Sequence, residues 1–393
     1  LHLLSRRQRQ MCIRDRSGCS KAIDGTKTVA TVGDEKVTLG LASYMVRDQQ
    51  AQTMSYYNML MSQYGVSGSA SNVWDQKGDD GKTVGESSKD GVMTTINQLY
   101  VLKAHAADYD VTITDDEEKA IKEAAAEFIK DNDEKILKKL AVSEDDIVTY
   151  LELVTIRSKM HDPMTADVDT EVSANEKDQT RVTIVKVSTE GTEKDDDGNT
   201  IDLTDEEKAQ KKDLAQQVLD KVKASDDVAN ADMDALAKEV DDSLSATAPA
   251  FTTAGSTDDT LDEAVQDAAL ELKDGEVADS VIEGDDGYYV VRLDKMLDED
   301  ATENKEKTVI SERKSDLFDS TLEDWVKEEK IKVKDKVWDQ ITVTDSVSFV
   351  YKSADSSDDT KSSDVQDSTE DTSSQDNSED TTTEDTAAED SAE

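Results

Sequence analysis

The chain has 393 residues, with 92 Asp and Glu against 45 Lys and Arg, which gives a formal net charge of −47. Such acidity argues against a nucleic-acid partner, because phosphate binding needs patches of Lys and Arg, and against docking onto anionic lipid headgroups. Two cysteines cannot build a disulfide framework, and there is no run of about 18 apolar residues that would span a bilayer.

The first residues differ in character from the rest of the chain. Residues 1–16 contain five Arg and one Asp, and their segment Met-Cys-Ile-Arg-Asp-Arg resembles translated sequencing-adapter sequence. We therefore expect residues 1–18 to be foreign or the remnant of a signal segment, and we exclude them from the fold prediction.

Ser17-Gly18-Cys19 resembles the end of a bacterial lipobox, in which small residues precede a cysteine that becomes acylated. The resemblance implies lipidation of Cys19, a linker over residues 19–26, and contact with the membrane through this anchor only. Arg16 stands where the motif has Leu, which is expected if foreign sequence has replaced the signal peptide. The alternative is a free cysteine placed there by chance.

The next segments show strand and then helix patterns. Residues 27–38 predict a short hairpin with a Gly-Asp turn, and residues 39–64 predict a long helix rich in Leu, Met and Tyr. Residues 65–91 are rich in Gly and Ser, show no periodicity, and predict a loop. Further helices are predicted at 92–109, from Thr114 onward, and from Ser143 to about residue 160.

The second half of the chain mixes both patterns. Residues 181–188 predict a strand, and Thr204 opens a capping box that predicts a helix to about residue 223. The remaining predicted elements are short helices near 232–240 and 259–272, strands at 277–282 and 288–294, a charged helix at 302–330 and a final strand at 341–350.

The C-terminal segment has an extreme composition. Residues 353–393 hold 15 Asp and Glu, one Lys and 17 Ser and Thr. Such a segment buries too little apolar surface to offset its ordering entropy. It is predicted to be a disordered acidic tail, and the sequence does not indicate its role.

From residue 181 to 296, the order of strand, helix, short helices and strand resembles the parvulin, or PpiC-type, peptidyl-prolyl isomerase domain. The best correspondence lies in LKDGEV at 272–277 followed by GYYVVRL at 287–293. The flanking segments VATVGDEKVTLGLASYMV and ITDDEEKAIKEAAAEF resemble the chaperone domain of SurA- and PrsA-type foldases. In that family, segments from both sides of the parvulin insertion build the chaperone domain.

The resemblance implies an α+β fold, with a mainly helical SurA-like chaperone domain, an inserted parvulin-like α/β domain and the acidic tail. The predicted N-terminal chaperone domain spans 27–165, and the parvulin-like domain spans 181–297. A C-terminal helix and strand at 302–350 would complete the chaperone domain.

The isomerase chemistry implied by the resemblance is in question. The family has one His on the first strand and one on the last, and the corresponding residues here are Thr183 and Tyr289. The Gly-rich segment of the family is replaced by residues 248–253, of which Phe251 alone is expected to line a pocket. Two interpretations stay open: a weak isomerase that uses Thr and Tyr hydroxyls, and a degenerate domain kept for binding or architecture.

The long helix at 39–64 offers an adaptable apolar surface, because methionine is flexible and polarizable. Such a surface suits transient contact with unfolded clients, and the alternative is that these side chains form the core of the helical domain. The predicted client-binding residues are Tyr44, Met45, Met54, Tyr57 and Met61.

No cofactor or metal site is predicted. His105 and His161 are far apart in sequence and neither has a nearby Cys, which disfavours a zinc site or a His-based triad. The prediction is a lipid-anchored folding factor at the extracytoplasmic face of the membrane, with unfolded or secreted polypeptides as partners. The alternative is a non-enzymatic envelope scaffold, and the oligomeric state is not predicted.

Overall fold

The structure is a computed structural model that describes residues 11–15, 23–63, 73–191, 200–254, 261–343 and 347–351. The predicted lipidation site Cys19 and the predicted tail at 353–393 lie outside these residues. We call residues 23–164 together with 299–343 the helical region, and residues 179–295 the sheet region. Both kinds of secondary structure are present, and the predicted α+β class is confirmed.

The described helices are α1 (Leu39–Gln63), α2 (Val84–His105), α3 (Asp115–Asp131), α4 (Glu134–Leu140), α5 (Glu144–Met164), α6 (Ala174–Lys177), α7 (Asp205–Lys223), α8 (Met233–Lys238), α9 (Glu263–Leu270), α10 (Glu299–Glu328) and α11 (Asp335–Trp338). The described strands are β1 (Met11–Asp15), β2 (Thr28–Val32), β3 (Glu35–Thr38), β4 (Gln179–Ser188), β5 (Ala246–Thr247), β6 (Ala250–Thr252), β7 (Ile282–Glu283), β8 (Gly287–Lys295), β9 (Ile331–Val333) and β10 (Val347–Tyr351). None of the helices within the described ranges combines the length and hydrophobicity that a bilayer-crossing segment requires.

A three-stranded antiparallel sheet in the order β3-β2-β9 holds the two ends of the helical region together. β2 and β3 form the predicted hairpin, and its turn residue Gly33 has a φ of 55°, a conformation that glycine adopts without strain. The sequence pattern does not predict β9, which has three residues and pairs Val333 with Ala30 of β2. The chain therefore leaves the helical region after α5 and returns through α10 and β9, which is the arrangement that an inserted domain produces.

The core of the helical region is formed where α1, α2, α5 and α10 pack together. Fully or almost fully buried residues from these helices include Val46, Ile96, Met160 and Leu322. The predicted helices from Thr114 and Ser143 are confirmed as α3 and α5, and both begin at capping boxes.

The predicted loop over residues 65–91 is wrong in its last part, because α2 begins at Val84. The hydroxyl of Thr83 accepts a hydrogen bond from the backbone N–H of Glu86, and the Glu86 carboxylate accepts one from the N–H of Thr83. This reciprocal capping starts the helix two turns before the apolar periodicity becomes visible in the sequence.

The sheet region is built on the central antiparallel pair β4 and β8, with β5 and β6 along the outer side of β4 and β7 along the outer side of β8. One face of this sheet packs on α7 and α8 through residues such as Val185 and Val290. The other face packs on α9 through residues such as Ile184 and Val291. Both faces of the sheet are therefore covered.

Residues 1–18, which the fold prediction excludes, contain the strand β1. β1 pairs antiparallel with β10, and β10 lies beside α1. The predicted final strand at 341–350 begins later than expected, at Val347, because Ile341 and Val343 are buried in the core of the helical region instead.

α10 joins the two regions. Its N-cap residue, Asp298, forms an ion pair with Arg181 of β4, and the N–H of Ala301 donates to the same carboxylate. Both contacts lower the pKa of Asp298, the N–H of Ala301 having the larger effect. Further along α10, Arg313 donates to the carbonyl oxygens of Asp169 and Glu171, both at 3.0 Å. The connection between α5 and β4 is therefore held against α10.

Candidate functional site

Two of the three predicted isomerase positions lie on the same face of the sheet region. Phe251 of β6 and Tyr289 of β8 both pack on the α9 side, with 0% and 4% of their surface exposed. The Tyr289 hydroxyl donates to the Asp286 carboxylate, to which Lys186 also donates. Neither ring therefore lines an opening to solvent in the described part of the chain.

Burial and the contact with Asp286 act together on Tyr289. Burial raises the pKa of the Tyr289 phenol, and the hydrogen bond to Asp286 raises it further. The hydrogen bond from Lys186 lowers the pKa of the Asp286 carboxyl, and the hydrogen bond from Tyr289 lowers it further. At neutral pH the phenol is a donor already committed to a protein carboxylate, so it is not aimed at a substrate amide.

Thr183 does not join the other two residues, because it lies on the opposite face of the sheet. Its hydroxyl donates to the Asp294 carboxylate at 2.6 Å and accepts from Arg292 at 3.3 Å. Arg292 also donates to the backbone carbonyls of Val228 and Ala231, at 3.1 and 2.8 Å. Thr183 thus belongs to a partly buried polar cluster around Arg292, which contacts the segment before α8.

The β4 residues that share a face with Phe251 and Tyr289 are Val182 and Ile184. Successive residues of a strand point to opposite faces, so an offset of one position transfers a side chain from one face to the other. Val182 and Ile184 bring aliphatic side chains to this face, and the hydroxyl of Thr180, which pairs with Phe251, is already bonded to Thr253 and to the carbonyl oxygen of Met296. This arrangement has the composition of a closed hydrophobic core.

A groove of about 870 Å³ opens in the helical region. Four helices line it, and their contributions come from widely separated parts of the sequence. The lining residues are Met45, Asp48, Gln49 and Gln52 of α1, Val92, Thr95 and Leu99 of α2, Tyr150, Val154, Arg157, Ser158, His161 and Asp162 of α5, and Ser315, Phe318 and Asp319 of α10. The buried members of the lining, Met45, Val92, Leu99 and Phe318, are apolar, and the acidic side chains of the lining outnumber the basic ones.

The predicted client-binding residues separate into two groups in the structure. Tyr44 makes edge-to-face contacts with Phe128 and Tyr150, at centroid distances of 5.6 and 5.0 Å, and therefore packs within the helical region. Met45 is buried and lines the groove. The second group lies further along α1, where Met54 and Met61 are half-buried and Tyr57 is 37% exposed.

The most exposed apolar side chains of α1 are Tyr56 and Met59, at 59% and 60% exposure. They continue the helix face that lines the groove, because the series 45, 49, 52, 56 and 59 advances in steps of three and four residues. This spacing is visible in the sequence, but it does not show which helix face stays uncovered. The groove residues of α5 and α10 are separated from α1 by too many residues for any local pattern to identify them.

Among the described residues, no group of three or more His, Cys, Asp or Glu side chains is placed to hold a metal ion. His105 stacks on Trp325 at a centroid distance of 4.1 Å, and His161 contacts Phe318 at 5.5 Å. Both histidines thus pack against aromatic residues of α10.

Several solved structures are similar to this chain. The foldase PrsA from Lactococcus lactis is 14% identical, with 79% of this chain and 96% of that chain covered and a TM-score of 0.32. PrsA from Bacillus cereus, a peptidylprolyl isomerase, is 20% identical, with 70% and 97% covered and a TM-score of 0.30. A SurA-like chaperone from Campylobacter jejuni is 11% identical, with 78% and 98% covered and a TM-score of 0.26. Comparison with curated proteins gave no match.

The chain is of the α+β class, with a β-sheet module between the two parts of a helical region. Residues 194–306 match the family described as PPIC-type PPIASE domain, so this part of the chain is similar to parvulin-type domains. The predicted resemblance to this family is confirmed. The match begins after β4, so it does not include Thr183, and the predicted boundary at 181–297 stays a prediction.

Proposed function

We propose that this protein is an extracytoplasmic folding factor that binds unfolded polypeptides through its helical region and has little or no prolyl isomerase activity. The observation that carries the proposal is the contrast between the open groove of the helical region and the closed face around Phe251 and Tyr289. The foldase and chaperone descriptions of the similar structures agree with this proposal.

The loss of isomerase activity rests on the chemistry of amide rotation. The barrier to X-Pro rotation is about 20 kcal/mol, and lowering it requires a site that holds the proline and polarises the twisting amide. Phe251 is fully buried, the Tyr289 hydroxyl is bonded to Asp286, and Thr183 points to the other side of the sheet. We therefore expect a proline-peptide isomerisation assay to give a rate close to the uncatalysed one.

Polypeptide binding is tested by the aggregation of a chemically denatured client. We expect the protein to suppress aggregation at near-stoichiometric concentrations. If the protein is instead an envelope scaffold, no suppression is expected. An isomerisation rate close to that of an intact parvulin would contradict the degenerate-domain proposal while leaving the chaperone proposal intact.

Lipid anchoring at Cys19 is part of the proposal and has its own test. An acylated cysteine would hold the soluble regions at the membrane without a spanning helix, and two acyl chains are enough for stable attachment. Expression behind an intact signal peptide, followed by labelling with a radioactive fatty acid, should mark the protein but not its Cys19→Ser variant. Equal labelling of both proteins would contradict the anchor.

A further inference from the structure

The groove of the helical region has an asymmetric charge. Asp48, Asp162 and Asp319 line it from three different helices, and Arg157 is the one Lys or Arg side chain in its lining. His161 stands beside Asp162, with its Nδ1 3.3 Å from the carboxylate. The lining therefore combines exposed or half-buried acidic side chains with buried apolar ones such as Phe318.

The same face of α1 continues beyond the groove as an exposed apolar strip. Tyr56 and Met59 lie one and two turns after Gln52, and more than half of each side chain is exposed. From Met45 to Met59 the helix rises by about 21 Å, at 1.5 Å per residue. An extended segment of about six residues covers this length, at about 3.3 Å per residue.

We propose that this face of α1, from Met45 to Met59, selects unfolded segments that combine Lys or Arg with large apolar residues. The basic side chains would meet Asp48, Asp162 and Asp319, and the apolar ones would pack on Tyr56 and Met59. This inference rests on the proposed function, and it names the class of client that the function would take. Acidic segments would be rejected by the same carboxylates.

Charge and apolar contact have separate roles in this selection. Each exposed ion pair strengthens binding by about 1.4- to 5-fold and is screened by salt. Three of them give a preference of about tenfold, without tight binding. The exposed apolar side chains supply affinity that salt does not weaken. Weak and additive contacts suit a factor that must release its clients.

The test uses the full chain and three fluorescent 12-residue peptides of matched length. The first combines Lys with Leu and Phe, the second replaces each Lys by Glu, and the third keeps Lys but replaces Leu and Phe by Ser. Dissociation constants are measured by fluorescence anisotropy at low and high salt. We expect the first peptide to bind about tenfold more tightly than the second at low salt, with a smaller ratio at high salt, and more tightly than the third at both.

Charge variants show whether the groove, and not the acidity of the whole chain, gives the preference. Replacing Asp48, Asp162 and Asp319 by Asn should remove most of the difference between the Lys and Glu peptides. The matched control replaces Asp116, Asp131 and Asp213 by Asn, which are exposed and lie outside the groove lining. An equal loss of preference in both triple variants overturns the proposal.

Apolar variants test the strip. Tyr56→Gln with Met59→Gln should weaken the first peptide several-fold at both salt concentrations, with helix content unchanged by circular dichroism. The control pair is Ile201→Gln with Leu297→Gln, which removes two exposed apolar side chains elsewhere. Equal binding of the Lys and Glu peptides to the unmodified protein contradicts the inference alone. Absence of binding by all three peptides, together with no suppression of client aggregation, contradicts the proposed function itself.

Discussion

The sheet region and the helical region differ in how completely their buried polar groups are hydrogen-bonded, and two arginines show the difference. Arg292 of the sheet region is 8% exposed, and it donates to Asp294, to Thr183 and to two backbone carbonyls. Arg47 of the helical region is 6% exposed, and its one hydrogen bond in the described residues is to Gln50 Oε1 at 2.9 Å.

The contrast extends beyond these two side chains. Three buried side-chain atoms in the described ranges have no hydrogen-bond partner: Arg47 Nε, Trp74 Nε1 and Asn97 Oδ1. All three belong to the helical region. Burial lowers the pKa of Arg47 to about 10. Burial also lowers the pKa of the half-buried Lys89, and the charge of Arg47 makes a small contribution in the same direction.

This difference supports the proposal that the helical region, and not the sheet region, binds clients. In its described residues, the sheet region has covered faces, no buried polar side-chain atom without a partner, and two predicted catalytic positions, Phe251 and Tyr289, that are closed to solvent. The helical region has an open groove, exposed Tyr56 and Met59, and polar groups that lower its stability. Binding sites are commonly kept at such a cost to stability.

The largest expected effect is that of Phe251→Ala in the sheet region. Removing a fully buried phenyl ring should cost about 3–5 kcal/mol, because it leaves a cavity between β6 and α9. All three tryptophans lie in the helical region, so tryptophan fluorescence reports on that region, whereas circular dichroism reports on both. We expect an early urea transition in circular dichroism that fluorescence does not follow. A loss of stability below about 1 kcal/mol would show that Phe251 lines an open pocket, and it would contradict the contrast between a closed sheet region and an open helical region.

The second prediction is Arg292→Met. This change removes the charged donor of the Asp294 carboxylate, which keeps its hydrogen bond from Thr183, and it removes the guanidinium from two carbonyl oxygens. Breaking a buried pair by removing one partner costs about 3 kcal/mol or more. The measurement is again the early transition in circular dichroism. A neutral effect would mean that water replaces the guanidinium, and that the sheet region is less closed than its burial indicates.

The same substitution in the helical region is expected to have the opposite sign. Arg47→Met removes a desolvated charge that has one neutral partner, and it keeps most of the buried side-chain volume, so we expect stabilisation by about 1 kcal/mol. The midpoint of the fluorescence-detected urea transition should rise. A loss of about 2 kcal/mol would show that Arg47 has a charged partner in the folded protein, which would remove the main contrast between the regions.

Local sequence signals predicted much of the fold. The capping box at Thr204 predicted α7 within one residue at each end, and the Gly-Asp turn predicted the hairpin of β2 and β3. β9 could not be found this way, because a three-residue strand acquires its pairing from β2, at the other end of the chain. The start of α2 was masked by the Gly and Ser content of its first turns, although Thr83 and Glu86 carry the capping signal.

The candidate sites were harder to predict than the fold. In the sheet region, assigning Thr183 to the Tyr289 face needs the strand register to the residue, and composition does not supply that register. In the helical region, Met45 was predicted as a binding residue and it lines the groove, but Asp48 and Asp319 meet only after α1 and α10 pack together. The sequence around Arg47 does not predict that this side chain is buried.

The smallest expected effect is that of Tyr289→Phe, and it tests the closed face at a single hydrogen bond. Loss of the bond to Asp286 should cost about 1 kcal/mol near pH 7.

The pKa of the phenol is raised in the folded protein, so the stability that Tyr289 contributes is complete below about pH 10 and declines as the pH rises above it. The unmodified protein should therefore lose stability between about pH 9.5 and 11 more steeply than Tyr289→Phe. Urea midpoints across that range, followed by circular dichroism, measure the difference. Parallel pH profiles would mean that the hydroxyl is solvated, and a solvated hydroxyl would make this face available for the isomerase chemistry that its burial now argues against.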